Sequence, residues 1–86
     1  MPSKKSRPWF VYIIETEKRF LYTGIALDPE KRFADHRKGA GAKFFRSQRP
    51  RKIVYRERCG SKGRALRRER QIKRLSAFEK RRLCGR

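Results

Sequence analysis

A phosphate can be gripped by an arginine through two parallel hydrogen bonds, and Arg32 stands four residues before the only histidine of the chain, His36. That spacing puts both on one face of a helix. Tyr12 alternates with Phe10 and Ile14, and Tyr22 with Phe20 and Gly24, so each phenol belongs to a strand face able to meet the same layer. Either tyrosine could equally be packing, with its hydroxyl reaching water. Gly24, two residues after Tyr22 on the same face, removes the side chain that would block that hydroxyl, or else marks a bulge. In a chain so rich in arginine, spacing alone singles out none of them.

The acidic residues narrow the field, because only 8 carboxylates stand among 27 lysines and arginines. Glu15 and Glu17 flank a turn, Asp28 and Glu30 serve a helix start, and Glu79 closes a capping box. Asp35 lies among Lys31, Arg37 and Lys38 at helical spacings, and Glu57 ends a strand beside arginines. Glu69 has no such task. At roughly 100° per residue it falls inside the apolar arc of Ala65, Leu66, Ile72 and Leu75, while Arg67, Arg70 and Arg74 point away. A carboxylate on the buried side of a helix must meet a cation, a donor or a metal. Two readings stay open: a pair with an arginine such as Arg32, or a metal ligand.

These side chains need a scaffold, and its elements are legible. Trp9 to Glu15 is aromatic or β-branched on both faces and predicts a buried strand. Phe20 to Ala26 predicts a second, joined by so short a turn that the pair is an antiparallel hairpin. Asp28 caps a helix that Pro29 opens and that runs to about Lys38. Residues 39 to 50 read as a Gly, Arg and Phe loop. "KIVYRER" is the third strand. Ser61 opens a helix from Lys62 to about Leu75, and Ser76 with Glu79 caps a short last one. The expected class is α+β, a three-stranded antiparallel sheet flanked by helices in the order β-β-α-β-α-α.

Eighty-six residues allow one modest core, expected over residues 9–84 behind a basic flexible arm at 1–8. A formal charge of +19 implies a polyanionic partner. Runs such as "WFVYII" are too short to span a bilayer, so nucleic acid is favoured over membrane. The N-terminus carries no secretory pattern, and a cytoplasmic monomer is expected. Cys59 and Cys84 are too far apart for a C-x-x-C motif and read as reduced and structural.

"FVYII", "YTG" ten positions after its tyrosine, Arg32 and His36 in the next helix, and Glu69 in the helix after the third strand together resemble the GIY-YIG nuclease family. The resemblance runs from about Trp9 to Leu83. It implies a metal-dependent endonuclease cutting DNA, single-stranded or branched, with RNA not excluded, by in-line attack of water. Tyr12, Tyr22, Arg32, His36 and Glu69 would be its catalytic residues. Glu69 would hold Mg²⁺ or Mn²⁺, Tyr22 would take the proton from water with Arg32, His36 or the metal as the cation that activates it, and Tyr12 would orient water or phosphate. Gly24 matches the family's glycine. Substrate contacts are expected from Lys43, Phe44, Arg46, Arg49 and Lys73 around that centre. Ile25 stands where some relatives, including the excision-repair nuclease subunit, have a lysine, and the chain has no asparagine to match the one that several place after the glutamate. The rival expectation is a non-catalytic basic module binding nucleic acid, RNA included.

Overall fold

The computed structural model describes residues 7–85, so the first six residues of the expected basic arm lie outside the described residues. The elements follow the anticipated order: β1 (Trp9–Thr16), β2 (Leu21–Ala26), α1 (Pro29–Arg37), β3 (Pro50–Gly60), α2 (Lys62–Lys73) and α3 (Ala77–Leu83). The sheet is antiparallel with strand order β2-β1-β3. β1 is therefore central and covered on both faces, which accounts for its unbroken apolar run.

Alternation along β1 divides the core in two. Tyr12 and Ile14 face one side, where they pack with Ala26, Phe45 and Phe33. Val11 and Ile13 face the other, against Ile72 of α2 and Leu83 and Cys84 at the α3 end. The helix starts obey their sequence signals. Asp28 accepts from the Lys31 amide, Ser61 from that of Arg64, and Ser76 and Glu79 form a reciprocal capping box.

Three expectations need correcting. The 39–50 segment is not plain loop, because Lys43–Arg46 winds into a 3-10 turn that buries Phe45 beneath it. Leu66 is an exposed large hydrophobic residue rather than part of the buried arc. α2 meets the core through Ala65 and Ile72, both fully buried, so its seam is narrower than the periodicity suggested. Glu15 does more than flank a turn. It is 1% exposed and gathers Arg51 at 2.8 Å, Arg81 at 3.4 Å and Arg19 at 3.6 Å, tying the hairpin, β3 and α3 together.

Candidate active site

The ladder brings Tyr12 of β1 directly opposite Gly24 of β2. A Cβ built on Gly24 would stand 2.7 Å from the Tyr12 hydroxyl, 2.9 Å from its Cζ and 3.1 Å from Cε2 of Tyr22. The glycine thus makes room first for Tyr12, not for the Tyr22 hydroxyl as its place in the sequence suggested. Any larger residue would wedge the two phenol rings, whose centroids lie 6.4 Å apart.

From α1, His36 enters this layer fully buried, 3.1 Å from the Tyr12 hydroxyl through Nε2. Its other nitrogen, Nδ1, accepts the Ala42 backbone N–H at 3.2 Å. An Nδ1 that accepts carries no proton, so the neutral ring has its hydrogen on Nε2. His36 therefore donates to the Tyr12 oxygen, and the phenol's own O–H is left to donate elsewhere. Burial, and secondarily the charge of Arg32, lowers the His36 pKa below its ordinary value of 6.5. At neutral pH it is uncharged, which removes it from the cations considered for activating Tyr22.

Tyr12 is only 1% exposed. Burial, followed by the neighbouring Tyr22, pushes its pKa well above that of an ordinary phenol, while Arg32 pulls the other way and Glu69 adds to the rise. Arg32 and Glu69 thus lie in the electrostatic surroundings of the Tyr12 hydroxyl, with the Tyr22 ring 6.4 Å from that of Tyr12. Tyr12 is held as a protonated donor. Tyr22 is the more accessible phenol, its ring 5.5 Å from that of His36 and stacked on Phe44 at 5.4 Å.

Arg32 is exposed, with Asp35 at 3.8 Å as its nearest carboxylate, so the expected alternative of a Glu69–Arg32 ion pair is not the arrangement found. Glu69 is instead mostly covered and 3.3 Å from the Lys73 ammonium. Lys73 thus sits against the candidate metal ligand. Among the described residues no group of three or more His, Cys, Asp or Glu gathers, so Glu69 would act as the sole carboxylate. One carboxylate fits Mg²⁺ if the ion retains water and takes oxygens from a substrate phosphate.

The other expected contacts divide by position. Phe45 is core. Phe44 covers Tyr22 and is half-buried, while Lys43, Arg46 and Arg49 are exposed. Arg46 and Arg49, with Arg37 and Lys38, line a cavity of about 510 Å³ that His36 also borders. Sequence reading missed Gly41. A Cβ there would overlap the His36 imidazole, so the glycine lets the chain close over the ring and deliver the Ala42 amide. Two glycines within three residues hinted at a break, but not at what lay beneath.

No helix among the described residues is long and apolar enough to cross a membrane. The sequence is 53% identical over 75 residues to a UPF0213 protein of Pseudomonas aeruginosa, covering 87% of this chain and 72% of that one. It is 41% identical over 78 residues to the UPF0213 protein YhbQ of Escherichia coli, covering 91% and 78%. Its fold matches the solution NMR structure of a UPF0213 protein from Bacillus halodurans with a TM-score of 0.58 at 35% identity, over 91% of this chain and 83% of that one. The GIY-YIG catalytic domain model matches residues 8–82, the stretch that carries both tyrosines, the glycine, the arginine, the histidine and the glutamate. The chain belongs to the GIY-YIG catalytic domain family.

Proposed function

We propose that this protein is a divalent-metal-dependent endonuclease that hydrolyses phosphodiester bonds of DNA, with single-stranded or branched DNA as its substrate. The supporting observation is that His36 bonds the buried Tyr12 hydroxyl at 3.1 Å with the Tyr22 ring 6.4 Å from that of Tyr12 and with Arg32 and Glu69 in the phenol's electrostatic surroundings, in a chain of formal charge +19. Tyr12 stays protonated, accepts from His36 and offers its own O–H as a hydrogen-bond donor to the attacking water or to a phosphate oxygen. Tyr22, the more accessible of the two, would act as a phenolate formed beside Arg32 or the metal and take the proton that water loses. Arg32 neutralises charge developing on the phosphoryl oxygens. Glu69 would hold Mg²⁺ or Mn²⁺, which when bound supplies Lewis-acid stabilisation of the leaving oxygen.

A non-catalytic basic module is the second reading, and the contact between Glu69 and Lys73 favours it by giving that carboxylate a partner. One experiment separates them. Purified protein is incubated with labelled single-stranded, duplex and branched DNA and with RNA, in Mg²⁺, Mn²⁺ or chelator. Metal-dependent cutting that Glu69→Ala abolishes, with DNA binding retained, supports the nuclease. No cutting of any substrate, or full activity in Glu69→Ala, rejects it.

A further inference from the structure

Beside Arg32, a second cavity of about 550 Å³ opens where β1 begins and β2 runs into α1. Its wall joins an indole, Trp9, and two aliphatic side chains, Ile25 and Leu27, to three cations, Arg7, Lys31 and Arg32. Its one carboxylate, Asp28, is already engaged in capping α1 through the Lys31 amide. The Lys62 ammonium lies 5.3 Å from the Trp9 ring centroid, adding a further positive charge beside the indole. A flat apolar wall rimmed by guanidinium and ammonium groups is complementary to a ligand that is aromatic at one end and anionic at the other. The volume lies within the range of small-molecule pockets.

We infer that this cavity is a nucleotide subsite that takes one unpaired base of the substrate strand against Trp9, with the adjoining phosphate on Arg7 and Lys31. The inference rests on the nuclease reading only in calling the strand a substrate. Arg32 lines this cavity and is also the residue assigned to the scissile phosphate, so the seated nucleotide neighbours the phosphate to be cut. A base within a duplex cannot enter without unstacking and unpairing, whereas a base in a single strand or at a branch is already free. The cavity therefore selects strands with an unpaired base beside the scissile bond.

Trp9 is the only tryptophan of the chain, so its emission reports on the cavity directly. Full-length protein in chelator is titrated with an eight-nucleotide oligothymidylate, and separately with an abasic strand of equal length and charge, at fixed salt. Binding is followed independently by anisotropy of an end-labelled strand. Stacking predicts quenching by the thymine strand that the abasic strand does not reproduce. Trp9→Leu, which keeps an apolar wall, should weaken thymine-strand binding by about 5- to 150-fold and leave abasic binding unchanged, the range expected for losing one base–aromatic stack. Equal quenching by both strands, binding without quenching, or an equal loss for both strands in Trp9→Leu overturns the subsite. Metal-dependent cutting in the wild type would still stand in those cases. A protein that stacks thymine yet never cuts would reject the nuclease reading alone, and absence of binding to either strand would reject the subsite alone.

Discussion

The Nε2 of His36 and the hydroxyl of Tyr12 lie 3.1 Å apart inside the protein, and the Ala42 amide on the opposite ring nitrogen sets the direction of that bond. Histidine gives and tyrosine receives. The phenol's own O–H is consequently free to serve as a donor, the role that its raised pKa also requires.

As the only histidine, His36 can be titrated without ambiguity by the NMR shift of its imidazole carbon-bound protons. Its folded pKa is lowered from 6.5, so the unfolded chain binds more protons as pH falls and the native state loses stability in that direction. The contribution is fully present above pH 6.5 and is lost as pH drops through the folded value. Urea midpoints measured from pH 7.5 to 5 on the wild type and on His36→Gln should converge toward the acid end. A midpoint for the imidazole at or above 6.5 would contradict the buried, neutral ring.

Gly24→Ala places a methyl 2.7 Å from the Tyr12 hydroxyl. Relief requires the phenol rings to separate, at a cost of about 1–3 kcal/mol in stability. Cleavage should fall further, by about 100-fold, because displacement of reacting groups by about 1 Å carries that penalty. Chemical denaturation and single-turnover cutting measure the two effects. Unchanged cutting by a folded Gly24→Ala protein would show that the close approach is not needed.

The two tyrosines should fail differently. Tyr22→Phe should reduce cutting by about 100- to 10,000-fold with little loss of stability, the usual effect of removing a general base. Tyr12→Phe leaves the His36 N–H buried without its acceptor and should cost about 1–3 kcal/mol in unfolding free energy as well as activity. Rate and stability measured together distinguish these patterns, and identical profiles would argue against separate roles.

Glu15 and Glu17 look alike in sequence but should not behave alike. Glu15→Ala leaves Arg51, Arg81 and Arg19 without their shared carboxylate, which should cost about 1–3 kcal/mol because the arginines left behind are partly exposed to water. Glu17 is exposed, and Glu17→Ala should stay within about 0.5 kcal/mol of wild type. Urea unfolding decides the comparison; equal effects would deny the cluster its structural weight.

Local chemistry was enough to locate every strand and α-helix and their order, though not the 3-10 turn at Lys43–Arg46. Asp28 before Pro29, Ser61, and Ser76 with Glu79 act on amides within a turn of themselves, and the alternation of β1 depends only on neighbours along the chain. The candidate centre was legible because its residues keep their spacing to those elements. What required the tertiary structure was every relationship set by strand register or helix docking. Gly24 serves Tyr12 because the ladder pairs them, and Gly41 serves His36 because the loop folds back over α1. Glu15 is buried because Arg51 and Arg81, from two distant segments, join the neighbouring Arg19 around it only after β3 pairs with β1 and α3 docks. A carboxylate's environment is made by groups near it in space, and those contacts do not exist until the chain has closed its long-range pairings.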